Sequence, residues 1–319
     1  MIHCNDRVAA ITLFTEEASD KMMQGLQNLI GELEQDCSLN EPDRLRRRIE
    51  ALDRLDAYLD GQLDGPLPAI ITQSVAPEIY PRAKALYARL ELANSELYQT
   101  IRREIQRSAG PYGLLQRLAN QSSLSENTTS PTVGEGYDYL DELVSGVLQF
   151  EEPSTNIAQL PAEMVFYQPT PARHIFDLIN RAALTERDVL IDLGSGMGHV
   201  PLLAAICTGA RSIGIELEAA YVDCARQSAQ ALNLNNNVAF IQQDARTADL
   251  SSGTLFYLYT PFIGTILRSV LDSLRREGAS RPIRICTFGP CTATIAEEPW
   301  LEAVGTLEPH RLAIFHSRN

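Results

Sequence analysis

Along the first third of the chain, apolar residues recur every three or four positions. Met22, Met23, Leu26, Leu29, Ile30 and Leu33 form one stripe, with Thr15 as a candidate N-cap. Leu45, Ile49, Leu52, Leu55 and Leu59 form a second, opened by Asn40 with Pro42 and closed by Gly61. Leu86, Leu90, Ala93, Leu97, Ile101 and Ile105 form a third, which starts after Pro77 or Pro81 and stops at Gly110-Pro111. These stripes predict an all-helical domain over residues 1–120. The run Arg46-Arg47-Arg48 reads as a solvated helix face, offset by Asp43, Glu50 and Asp53. Residues 121–136 are polar and carry no apolar period, so they read as a linker or loop.

Beyond residue 136 the period changes. One helix is expected over the segment from Tyr137 to Glu152, and another begins near Pro171 with Ile175, Leu178 and Ile179 on its core face. Short apolar runs then alternate with helical stretches. Strands are predicted at Val189–Ile191, Arg211–Glu216, Val238–Ile241, Thr254–Tyr259, Ile283–Phe288 and Arg311–His316. Helices are predicted after Gly198, over Ala219–Leu232, over Ile266–Leu274 and, as a short piece, over Glu298–Leu301. This alternation implies an α/β fold: a Rossmann-like, mostly parallel sheet covered on both faces. Two strands close together near the C-terminus suggest that an antiparallel hairpin finishes the sheet. Residues 137–319 are thus read as a second domain.

Composition narrows the class. The chain has 319 residues, 45% of them hydrophobic and 21% charged, as in a globular protein. It lacks an apolar run long enough to cross a bilayer and a basic, apolar leader, so no membrane partner and a cytoplasmic location are expected. The six cysteines form no C-x-x-C pair and read as reduced thiols; no metal site is expected. Net charge is −14, which argues against nucleic acid as a partner, because phosphate backbones need basic surfaces.

The chemistry centres on Val189 to Val200, VLIDLGSGMGHV. A buried strand ends in Asp192, glycines follow at 194, 196 and 198, and a helix starts. Glycines at such a turn let backbone approach a ligand. A dinucleotide site uses G-x-G-x-x-G; here the third glycine comes one residue early. Other strand ends carry Glu216, Asp244 with Ala245, and Tyr259-Thr260-Pro261-Phe262. In an open α/β sheet, ligands bind at these carboxyl ends.

These residues resemble the motifs of class I S-adenosylmethionine-dependent methyltransferases. Tyr167-x-x-Thr170 and DLGSGxGxV are similar, within that class, to the non-SET histone lysine methyltransferases. The resemblance implies S-adenosylmethionine as cofactor and S-adenosylhomocysteine as product. It implies that Tyr167 and Thr170 touch the methionine end and that Asp192, Gly194, Ser195, Gly196 and Gly198 bind the cofactor. Glu216 would accept from the ribose hydroxyls, Leu217 would pack on adenine, Asp244 would accept from the adenine amino group, and the Ala245 amide would face a ring nitrogen. Tyr259 and Thr260 would be the catalytic candidates, because the methyl acceptor sits at this strand end in the family. The Asn-rich acceptor motif and the basic nucleosome-holding segments of the histone enzymes are absent here.

The expected function is methyl transfer to an unidentified acceptor, a small molecule or protein rather than nucleic acid. Seven acids between Glu135 and Glu163, with no Lys or Arg before Arg173, suggest an acidic entrance and an amine-bearing acceptor. His199 reads as a helix cap and His174 as a residue on a helix face. The alternatives are a non-catalytic cofactor-binding protein that works through its helical domain, and a NAD-type oxidoreductase. The sequence gives no oligomeric state.

Overall fold

The computed structural model describes residues 21–59, 78–107, 136–151, 153, 163–308 and 311–318. The expected cap at Thr15, the helix stops at Gly61 and Gly110-Pro111, and nearly all of the linker 121–136 lie outside them. The chain divides into two compact units, Met1–Gln99 and Thr100–Asn319.

The first unit is helical. Residues 21–35 form helix α1. Short turns at Cys37–Asn40 and Pro42–Arg44 lead into α2, Leu45–Leu59, and α3 spans Ile79–Arg107 and ends in the second unit. Leu26, Leu29, Ile30, Leu33, Leu52, Leu55, Leu86 and Leu90 are buried together, so the three stripes do meet in one core.

The arginine run departs from expectation. Arg46 and Arg47 are exposed, but Arg48 is only 1% exposed. Its Nε donates to Asn94 Oδ1 at 2.6 Å, and its Nη1 donates to the carbonyls of Leu39 at 3.1 Å and Glu41 at 2.5 Å. The helical period puts residue 48 on the same face as Leu45, Leu52 and Leu55. A guanidinium there must find acceptors, because burying unpaired donors is costly. Nε and Nη1 find them on α3 and on the turns before α2, while the buried Nη2 has no hydrogen-bond partner among the described residues.

The second unit holds a seven-stranded sheet in the order β3-β2-β1-β4-β5-β7-β6. Its strands are β1 Val189–Leu193, β2 Arg211–Glu216, β3 Val238–Gln242, β4 Leu255–Tyr259, β5 Arg284–Phe288, β6 Leu301–Ala303 and β7 Ala313–Ser317. The first five are parallel; β7 lies between β5 and β6 and is antiparallel to both. Helices α4 Tyr139–Leu148, α5 Ala172–Arg181, α6 His199–Thr208, α7 Ala219–Ala231, α8 Gly264–Ser280 and α9 Cys291–Ala296 accompany it. Helix α6 is apolar and almost wholly buried, as expected of a helix enclosed on all sides. Ile266, Leu267, Val270 and Leu271 of α8 pack with Ile191, Phe256 and Ile285 of the sheet.

One predicted element is wrong. Glu298–Leu301 is not a helix: the helix lies earlier, at α9, and Leu301 begins β6. Pro299 disfavours helical backbone at Glu298. The Glu298 carboxylate instead takes Arg268 Nη1 at 2.5 Å and Trp300 Nε1 at 2.7 Å. Among the described residues, no helix is long and apolar enough to cross a membrane.

Arg48→Ala should lower the stability of the helical unit by about 2–3 kcal/mol, the loss of three hydrogen bonds with their acceptors left buried. Arg46→Ala should change it by less than about 0.5 kcal/mol. Urea unfolding followed at the transition of this unit distinguishes the two; equal effects would mean that Arg48 is not its buried tie.

Candidate functional site

The carboxyl end of the sheet brings the strand-end residues together. In the β1 register Asp192 stands opposite Gly214 on β2 and Tyr257 on β4, so the three share one face. Gly214 leaves that face open: a Cβ there would press on Phe240 and on Ser195 Oγ, at 2.5 and 2.6 Å. Asp192 is buried, and burial first, then the charge of Glu216, holds its carboxyl well above the usual carboxylate range.

The glycine turn is fastened by Glu216. Its Oε2 accepts from the Gly196 amide at 2.9 Å, and its Oε1 accepts from the amides of Leu217 at 2.7 Å and Glu218 at 2.9 Å. One carboxylate thus fixes both the turn after β1 and the turn after β2. The Ser195 hydroxyl is buried with no hydrogen-bond partner among the described residues.

Gly196 has φ +51°, where a side chain is strained. A Cβ there would also overlap the ring of Tyr167. That ring packs against Tyr221 with centroids 4.7 Å apart. Thr170 Oγ1 lies 3.2 Å from the Tyr257 hydroxyl. Residues 163–170 therefore form a strap across the strand ends. Its other edge is pinned to the loop after β4: Val165 N donates to Pro261 O at 3.2 Å, Ile263 N donates to Glu163 O at 2.9 Å, and Met164 bridges Phe262. Pro261 in turn covers Gly194, where a Cβ would overlap its ring.

Asp244 lies two residues beyond the end of β3, where it caps the short turn Ala245–Thr247 rather than ending the strand, and Gln243 N donates to Glu216 O at 2.9 Å, which brings the two segments side by side. Both Asp244 oxygens, however, are engaged by Arg246: the backbone amide at 2.9 Å, Nε at 3.1 Å and Nη2 at 2.6 Å. The sequence alone did not flag Arg246. Ala245 is half-buried and Leu217 is exposed beside them.

The catalytic candidates differ in availability. Tyr259 is half-buried, with its ring 5.0 Å from that of Phe288. Thr260 is buried and has φ +39°, an outlier for a β-branched residue. Its Oγ1 donates to Phe288 O and accepts from Cys291 N, both at 3.1 Å. That hydroxyl ties β4 to the start of α9, which leaves it a bracing role. His199 does not cap α6 as expected. Gly198 is the cap residue, and the His199 ring turns to Tyr167. His174 is on α5, as expected, with its ring 4.1 Å from that of Phe288.

The acids before the site are also committed. Asp138 and Asp141 form a capping box for α4, Asp138 pairs with Arg173 at 2.9 Å, and Asp141 Oδ1 accepts from Ala172 N at 2.8 Å. Glu163 Oε2 accepts from Thr265 Oγ1 at 2.7 Å and Ile266 N at 3.1 Å, the first turn of α8. Glu142 and Glu151 stay exposed, while Glu135 and Glu152 lie outside the described residues. The acids thus act first as helix caps, and the expected field at the entrance is correspondingly weaker.

Residues 163–251 match the family model described as "Histone methylation protein DOT1". Among solved structures, the chain is similar to an RNA methyltransferase from Salinibacter ruber in complex with S-adenosyl-L-homocysteine: 27% identity, 47% of this chain, 92% of that chain, TM-score 0.38. It is also similar to the magnesium protoporphyrin IX methyltransferase of Synechocystis PCC 6803 with bound SAM: 15% identity, 45% of this chain, 74% of that chain, TM-score 0.34. No curated protein matches. The motifs within residues 163–251 are similar to those of the class I S-adenosylmethionine-dependent methyltransferases, the non-SET histone enzymes among them, and S-adenosylmethionine is the cofactor that goes with that likeness. The family match ends at residue 251, before Tyr259 and the loop after β4.

Gly196→Val should abolish cofactor binding, by displacing Tyr167 and straining the turn, while circular dichroism shows the sheet retained. Unchanged S-adenosylhomocysteine affinity in a calorimeter would show that the turn is not the cofactor's seat.

Proposed function

We propose that this chain transfers a methyl group from S-adenosylmethionine to an amine-bearing acceptor that is a small molecule or a protein. The observation that carries the reading is the charge of the turn. The Gly196 amide, which in a dinucleotide site would face a pyrophosphate, already holds the Glu216 carboxylate. Asp192 lies close enough for Glu216 to raise its pKa, and burial and Glu216 are the influences that set it. The Glu216 carboxylate, the Asp192 carboxyl and the buried, unsatisfied Ser195 hydroxyl suit a ligand with a cationic end and hydroxyls to donate. The third glycine, one residue early for G-x-G-x-x-G, speaks against the NAD-type reading.

When bound, the cofactor supplies a methyl group on a sulfonium, which an acceptor takes by in-line displacement. The protein's share is positioning and exclusion of water. Glu216 is assigned to the ribose hydroxyls, Asp192 to the cationic methionine end, and Asp244 with Ala245 to the adenine edge. The strap with Tyr167 and Thr170 closes the methionine end. Tyr259 is assigned to the acceptor and Thr260 to bracing the loop that carries it. The histone substrate is not carried over, because the family match stops before this loop and the chain is strongly acidic. Formation of S-adenosylhomocysteine from labelled cofactor, with cell extract fractions as acceptors, tests the reading; binding without turnover would favour the non-catalytic alternative.

Glu216→Ala should weaken S-adenosylhomocysteine binding roughly tenfold to a hundredfold, and Asp244→Ala by less, with no NAD binding in either protein. Calorimetry that ranks Asp244 above Glu216 would reverse their roles.

The raised pKa of Asp192 gives a pH dependence. In the free protein its carboxyl keeps its proton above the ordinary carboxylate range. A cationic ligand favours the ionised form, so binding releases a proton. Affinity for S-adenosylmethionine should therefore rise with pH through the window below the free-state pKa and then level off. Asp192→Asn should flatten the slope; a slope unchanged in that variant would assign the proton elsewhere.

A further inference from the structure

His199 has no part in the reading so far. It is the first residue of α6, one position beyond the last glycine of the turn. Its Nδ1 lies 3.3 Å from the Tyr167 hydroxyl, and its ring sits against Phe150 with centroids 4.5 Å apart. Burial pushes its imidazole down to about 4, so the ring is neutral and offers one nitrogen as acceptor. Burial also pushes the Tyr167 phenol up, so the phenol keeps its proton and, with the ring in the tautomer protonated at Nε2, donates it to Nδ1. The Tyr167 ring itself lies over Gly196, where a Cβ would overlap it. Tyr167 is therefore seated on the turn and bonded to the first side chain of the helix that follows. This is the point at which the strap meets the turn.

We propose that His199 is a positioning residue of the cofactor site: by accepting the Tyr167 hydrogen bond it latches the strap 163–170 onto the glycine turn. The proposal rests on the S-adenosylmethionine reading and adds a residue that acts on the cofactor through another. Two alternatives were available for this histidine. As a helix cap it would bond backbone amides of α6, and no side-chain bond caps that helix. As a general base it would need a pKa nearer neutrality than about 4. The contact with Tyr167 fits a structural acceptor whose ring burial keeps neutral down to about pH 4. The strap's other edge is bonded to Pro261 and Ile263, so the latch also steadies the acceptor loop.

The test uses the full chain and S-adenosylhomocysteine in a calorimeter. His199→Leu removes the acceptor, and His199→Asn keeps an oxygen close to the place of Nδ1. Tyr167→Phe removes the donor, and the double variant Tyr167→Phe with His199→Leu closes the cycle. His199→Leu should weaken binding about fivefold to tenfold, and His199→Asn should restore it to within about threefold. The double variant should bind no more weakly than Tyr167→Phe alone. The NMR resonance of the Tyr167 ring carbon that bears the hydroxyl should shift in ligand-free His199→Leu and return in His199→Asn. If His199→Leu does not fold, the Asn variant and Tyr167→Phe still give the donor and acceptor comparison. Wild-type affinity in His199→Leu, no recovery in His199→Asn, or additive losses in the double variant would overturn the latch and leave the cofactor reading standing. Failure of the wild-type protein to bind S-adenosylhomocysteine would overturn that reading and the latch with it.

Discussion

The carboxylate of Glu216 is the constraint on which the site depends. A glycine turn at the end of a strand exposes amides at a helix N-terminus, which attract anions. Here the anion is built in: Glu216 fills the Gly196 amide and also the amides of Leu217 and Glu218. The Gly196 amide is thereby occupied, and a negative charge lies beside the turn. Burial first, and that charge second, raise the pKa of Asp192. The strand order follows the same logic, because it places β2 beside β1 with the two ends in register.

The strap is the second organising element. It joins the turn after β1 to the loop after β4, two segments that do not otherwise share backbone hydrogen bonds among the described residues. Tyr167 rests on Gly196, Thr170 reaches Tyr257, and residues 163–165 pair with 261–263. The turn after β1 and the loop after β4 are therefore parts of one packed layer. Thr260 is the strained member of that layer, and its hydroxyl, bonded to Phe288 and Cys291, holds it there.

Much of this was legible in the sequence. Strand periodicity, the glycine triplet and an acid at three strand ends pointed to the sheet and to its working edge. What could not be read was which side chains the fold would consume internally. Arg48 sits in a run of three arginines, and only the phase of α2 buries it. Asp138, Asp141 and Glu163 look like a free acidic surface until the helix starts they cap are seen. The pairing of His199 with Tyr167 spans 32 residues, and nothing in the local sequence signals it. Glu298–Leu301 carried helical residues, but Pro299 and the ion pair to Arg268 outweighed propensity.

The three glycines of the turn each receive a different neighbour: Pro261 on Gly194, Tyr167 on Gly196 and Phe240 on Gly198. Each glycine is a socket shaped by one ring from another part of the chain. Sequence drift in this protein is therefore correlated rather than free. A change at Pro261 alters the ceiling over Gly194 and so reaches the turn after β1, whereas Tyr259 fills none of the three sockets. Neighbouring positions of one loop are thus unequal: one is tethered to the glycine turn and the other is not.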